Sequence, residues 1–156
     1  MAEKTEKNDV KKTHRELAVE LFNKTWDLMD KEDRTAEDTD HMIHAAHASR
    51  YHWGVVGEPL HWQRGEWQVS RVYAVAGHPE SCLYHAQRCM VITETYAIGG
   101  FDLAFAHEAL ARAFSLLGDA EKMDKHLALG KEAAENVQDK DDREYCLSEL
   151  DNIKIA

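Results

Sequence analysis

The chain has no apolar run approaching the roughly 20 residues a bilayer span needs. It has only two prolines and three cysteines among its 156 residues, and no lysine anywhere between residues 41 and 115. Each scarcity excludes something. Cys82, Cys89 and Cys146 are odd in number and widely spaced, which argues against a disulfide framework and fits a reducing, cytoplasmic setting. Each is expected to be a small, packed, unreactive side chain. The opening MAEKTEKNDVKK is charged and lacks the apolar segment of a signal peptide. No stretch alternates apolar and polar residues as a strand does. Nucleophile elbow, phosphate-binding loop, HExxH and paired CxxC are all missing, so no catalytic constellation is visible. A formal net charge of −10 disfavours nonspecific attachment to nucleic acid or to an anionic membrane.

What is present is a series of helical signals for one all-α domain. Residues 1–12 carry no apolar period and are expected to be a flexible tail, with a single domain over 13–154. Thr13 and Glu16 match a capping box, and Leu17, Leu21 and Met29 give the first helix its apolar stripe to Lys31. Thr35 or Thr39 caps a second helix over 36–56. Both prolines follow glycines, in Gly57-Glu58-Pro59 and Gly77-His78-Pro79, where one helix stops and the next starts. Further helices are expected over 60–76, 79–98, 101–117 and 120–137. A second capping pattern, Asp141 to Glu144, opens a short last one. The expected fold is six main helices plus a C-terminal cap.

A longer period underlies these signals. Gly77 and Gly118 stand 41 residues apart, and the segments before them rhyme: VSRVYAVAG against LARAFSLLG. Ser70 matches Ala111, Tyr73 matches Phe114, and twelve residues after each glycine Cys89 matches Gly130. Paired helices with small residues at their crossings mark helical solenoids. In these positions the units 62–97 and 103–137 resemble tetratricopeptide repeats. The family's early tryptophan is replaced by Glu66 and His107, its second-helix aromatic by Ala86 and Leu127, and its closing proline is absent. The resemblance implies antiparallel hairpins stacked as a short right-handed superhelix. It also implies a concave groove lined by the first helix of each hairpin.

Two sets of residues are candidates for function. The resemblance places the groove on Arg64, Trp67 and Arg71 of one helix and Phe105, Glu108 and Arg112 of another. Arginine and tryptophan there suit the anchoring of a peptide or protein partner by bidentate bonds and stacking. The same groups have a plainer use, with Glu108 and Arg112 as a surface ion pair and Arg71 bonded to Glu66 or Glu94. A face-to-face contact between copies, giving a homo-oligomer, would also use this stripe. The second set is Asp40, His44 and His47 on one face of the second helix, able to ligate a divalent transition metal. Their third protein ligand would be His85, His107 or Glu94. The leading expectation is a binding module without a cofactor, and the alternative is a metal-binding protein.

Overall fold

Helix ends are set by local chemistry. In the computed structural model, which describes residues 1–156, the chain forms seven helices and no strand. They are α1 (Ala2–Asp30), α2 (Ala36–Val56), α3 (Pro59–Ala76), α4 (Pro79–Thr95), α5 (Gly100–Leu116), α6 (Ala120–Glu135) and α7 (Lys140–Asp151). Thr35 caps α2: its hydroxyl accepts from the Asp38 amide while the Asp38 carboxylate accepts from the Thr35 amide. Pro59 and Pro79 occupy the first turns of α3 and α4, where a missing N–H costs nothing. Asp119 caps α6 by accepting from the Lys122 amide at 3.1 Å. Caps of this kind contribute about 1 kcal/mol each.

Gly77 and Gly118 close α3 and α5 in the same way. Both have left-handed backbones, with φ of 81° and 75°. The following amide bonds back to the carbonyl of the matched aromatic, His78 to Tyr73 at 2.9 Å and Asp119 to Phe114 at 3.0 Å. The sequence rhyme is therefore a structural one. α4 uses the same closure without a glycine: Ala97 sits at φ 50°, and the Ile98 amide reaches the Thr93 carbonyl. That is why α4 stops at Thr95 instead of running to Ile98.

Two helix starts differ from expectation. Thr13 does not cap α1; its hydroxyl donates to the Asp9 carbonyl inside a helix that already began at Ala2. The segment 2–12 holds no breaker, and Glu3 and Lys7 pair one turn apart at 2.9 Å. Its side chains are all exposed, because the turn lacks an apolar face. At the other end Asp139, not Asp141, caps α7 by accepting from the Asp142 amide.

Connections of two to five residues make consecutive helices antiparallel hairpin partners. Each helix packs on the next. The backbones of the odd helices α1, α3, α5 and α7 also approach their odd neighbours, whereas those of α2, α4 and α6 approach only the helices before and after them; α2 and α4 meet through side chains alone. The result is two layers. The core is correspondingly a string of clusters. Leu28, Met42, Ala46, Val69 and Val72 join α1, α2 and α3. Ala86, Cys89 and Met90 join Ala106, Ala109 and Leu110 between α4 and α5. Ala104 and Phe105 meet Ala133, Ala134, Cys146 and Leu150 where α5, α6 and α7 converge.

Small residues let these helices approach. A Cβ on Gly65 would stand 2.8 Å from the Arg50 side chain, which crosses α3 there. Buried polar side chains then fix the register between hairpins. Gln68 donates to the Phe22 carbonyl of α1, and Gln63 donates to Thr93 of α4 and to the Asp102 carbonyl of α5. Such groups lose water on burial, so a displaced register would leave them unpaired. The three cysteines are free and buried. Burial raises the Cys82 and Cys89 thiols and pushes Cys146 up to about 11. No helix is long and apolar enough to cross a membrane.

Candidate functional site

The 41-residue register runs through the odd layer further than the two glycines suggest. Trp26, Trp67, Glu108 and Glu149 stand 41 residues apart in α1, α3, α5 and α7, and so do Arg71 and Arg112. Matched residues meet across neighbouring helices. The Trp26 and Trp67 rings lie 5.7 Å apart, and the Trp67 indole N–H donates to Glu108 Oε2 at 2.9 Å. Arg71 donates to Glu108 Oε1 at 3.2 Å and lies 3.6 Å from Glu149. Arg112 bonds Glu108 Oε1 as well, and reaches Glu149 at 4.0 Å.

Glu108 is 1% exposed. An unpaired carboxylate there would be costly, and two guanidinium groups and an indole answer it. Burial, reinforced by the neighbouring Arg71 charge, lowers the Arg112 guanidinium to about 10, still cationic at neutral pH. The Glu108–Arg112 pair does form, but as a buried bond. Arg71 pairs with neither Glu66 nor Glu94. Glu66 is held by Arg50 at 3.1 Å and His85 at 2.7 Å, and Glu94 is exposed.

Beside this network the odd layer opens into a cleft of about 240 Å³. Each odd helix contributes: Phe22 and Trp26 from α1, Gln63, Arg64 and Trp67 from α3, Phe101, Asp102 and Phe105 from α5, and Tyr145 from α7. The aromatic rings form a continuous run. Trp67 meets Phe105 edge-on at 5.6 Å, and Phe105 lies 4.7 Å from Phe101 and 5.5 Å from Tyr145. Arg64 grips Asp102 through both oxygens, at 2.9 and 3.1 Å, and its side chain remains half exposed. That pairing raises the Arg64 pKa above the ordinary guanidinium value.

A second cavity of about 180 Å³ shares Phe22 and Arg64 with the first. Its wall includes Trp53 and His61, stacked 4.2 Å apart with nearly parallel planes, and the Arg15 guanidinium lies over Trp53 at 5.3 Å. Burial, then the Arg15 charge, lowers the His61 pKa.

Of the six residues expected in a groove, Arg64, Trp67 and Phe105 line the cleft. Arg71, Glu108 and Arg112 line neither cavity and are bonded to one another instead.

Asp40 and His44 are exposed and make no hydrogen bond or ion pair with the protein. His47 bonds the Tyr73 hydroxyl through Nε2 at 2.8 Å, and its ring lies 5.3 Å from that of His85. Among the three partners considered for the histidine pair, α4 brings His85 to it. His107 instead meets His126, Nδ1 to Nδ1, at 3.1 Å, and Glu94 is exposed. No three His, Cys, Asp or Glu side chains are already arranged as a metal cage.

No protein-family model matches this chain, and neither does a curated protein or a solved structure. The site therefore has to be read from its own chemistry.

Sequence reasoning missed Phe22, Trp26, Gln63, Phe101, Asp102 and Tyr145. For some of them a signal was there. Trp26 lies one period before Trp67, and Phe22, Gln63 and Tyr145 fall in a single 41-residue series with Ala104. Extending the period from its two glycines to α1 and α7 would have found them. Phe101 and Asp102 had no such signal; the α3–α5 contact brings Asp102 to Arg64, and Phe101 meets Phe105 one turn further along α5.

Proposed function

We propose that this chain is a helical-repeat binding module that holds a peptide or protein partner against its odd-helix layer. The carrying observation is the aromatic cleft, built from all four odd helices. Ligand sites are concave and mostly apolar, with a few polar groups that fix orientation. This cleft has Phe, Trp and Tyr rings for contact area and Gln63, Arg64 and Asp102 for direction. Aromatic and arginine side chains are also the groups that dominate binding energy at protein interfaces. Trp67 and Arg71 serve the binding face differently from their neighbours. Tied to Glu108, they hold α3 to α5 and so fix the position of the cleft walls.

Peptide display on the intact chain tests this. Peptides selected by the chain should lose about tenfold or more in affinity against Trp26→Ala or Tyr145→Ala, as anchor removal does. They should keep their affinity for Tyr84→Ala, whose ring is 59% exposed on α4, away from the cleft. Selected peptides that bind the cleft variants undiminished would overturn the assignment.

A further inference from the structure

We propose that His47 and His85, with His44 closing from the turn before His47, form a site for one divalent transition-metal ion of the zinc type. The site lies between α2 and α4, apart from the aromatic cleft, and is independent of the binding reading.

The first argument is the setting of His85. Its Nδ1 lies 2.7 Å from Glu66 Oε2, and Arg50 holds the other Glu66 oxygen at 3.1 Å. A carboxylate that accepts a hydrogen bond from Nδ1–H fixes the tautomer and leaves Nε2 with an open lone pair. This is the second-sphere arrangement that orients ligating histidines. His85 Nε2 makes no bond within the protein, and the ring keeps 17% of its side-chain surface exposed, so the open nitrogen can be reached.

The second argument is convergence. His47 comes from a different helix, and its ring lies 5.3 Å from that of His85. His44 is three residues earlier on the same face of α2, is exposed and has no bonding partner, so it can rotate inward. Three imidazoles are then available from two helices, a donor set suited to zinc, nickel or copper. Binding exchanges one hydrogen bond, that between His47 Nε2 and the Tyr73 hydroxyl, for a metal bond.

The third argument is contrast within the same molecule. The chain has two other close histidine pairs, His14 with His52 at 2.8 Å and His107 with His126 at 3.1 Å. Both join Nδ1 to Nδ1, so the two facing nitrogens occupy each other, and neither has a carboxylate bonded to it. His126 stands one 41-residue period after His85, yet its partner His107 occupies the place of Glu66. Only the α2–α4 site has the carboxylate, the open nitrogen and the neighbouring pair.

Zinc titration of the untagged, chelator-treated chain by calorimetry, with cobalt absorption as a second readout, decides the matter. Saturable binding of one ion per chain at micromolar metal is expected, with the cobalt band of a nitrogen-ligated ion. His85→Ala and His47→Ala should each abolish it. Glu66→Gln should weaken it about 10–100-fold, the usual effect of losing an orienting partner. His44→Ala removes an exposed side chain, so it should lower affinity without changing apo-protein unfolding. His126→Ala should leave binding intact. Absence of saturation, binding that survives His85→Ala, or equal loss in His126→Ala would overturn the proposal.

Discussion

At the scale of single residues, Glu108 is the most constrained group in the molecule. It is buried, and it accepts from Trp67, Arg71 and Arg112. Removing one side of a buried charge pair costs about 3–5 kcal/mol, because the other side is left desolvated and unanswered. Glu108→Gln keeps the shape and removes the charge. Arg71 and Arg112 would then share only Glu149, at 3.6 and 4.0 Å. The variant is expected to lose about 3 kcal/mol of stability, read as a drop of roughly 6–12 °C in the thermal midpoint for a domain of this size. Glu149→Gln should cost less, since Glu149 is partly exposed and its two ion pairs are longer. A Glu108→Gln midpoint within about 2 °C of the parent would show that the network is not what holds α3 to α5. The residue identities at this network were legible in the sequence. Their pairing was not: Glu108 and Arg112 look like an ordinary surface pair until α3 and α7 cover them.

At the scale of elements, helix ends follow the sequence most closely where a glycine or a proline stands at the boundary, and the capping patterns at Thr13 and Asp141 fall inside helices instead of starting them. Gly77 and Gly118 adopt left-handed backbones at matching places, and Pro59 and Pro79 begin helices. Elsewhere the expected ends miss, by about three residues at the end of α4 and by eleven at the start of α1. Ala97 takes the place of a glycine at the end of α4, with φ of 50°, a conformation that a Cβ makes costly. Ala97→Gly is therefore expected to stabilise the chain by about 0.5–1 kcal/mol, although a more flexible unfolded chain offsets part of the gain. Chemical denaturation of the pair of proteins measures this directly. A destabilised Ala97→Gly protein would mean that strain at this turn is smaller than the entropy it saves. α1 shows the converse case. Nothing in residues 2–12 stops a helix, and nothing there packs, so the Thr13–Glu16 capping pattern and the apolar stripe after it placed the start at Thr13 while the backbone continued to Ala2.

At the scale of the whole molecule, histidine pairs join both end hairpins, His14–His52 across α1 and α2 and His107–His126 across α5 and α6. Two facing Nδ1 atoms can bond only while at least one lacks a proton. Burial, then the His126 and Lys125 charges, pushes His107 down to about 4 from an ordinary 6.5. The folded value lies below the unfolded one, so on acidification the unfolded chain takes up the proton first. Stability from this group is whole above pH 6.5 and is lost as pH falls from 6.5 towards 4. Between about pH 7.5 and 5 the loss is expected to be about 1 kcal/mol, after discounting for a partly exposed ring. Urea midpoints at the two pH values measure it, and His107→Gln should flatten the difference. An unchanged slope in that variant would place the acid sensitivity elsewhere.

The sequence by itself determined the number of helices, most of their ends and the 41-residue period. All of these rest on short-range physics: apolar spacing, caps, glycine at left-handed turns and proline at first turns. It also placed arginine, tryptophan and histidine in the middle of the chain, where lysine is absent. Only the tertiary structure decided what those groups do. The odd helices touch one another at matched positions, which draws Arg71, Glu108 and Arg112 into a buried network and leaves Trp26, Phe101 and Tyr145 around an open cleft. The side chains of α2 and α4 meet where His85 lies beside His47, and the packing of α4 on α3 sets the His85 Nδ1 against Glu66. The reason is common to both. Most side-chain roles here depend on contacts between residues at least 19 positions apart, and local pattern carries no information about which faces of two helices will meet.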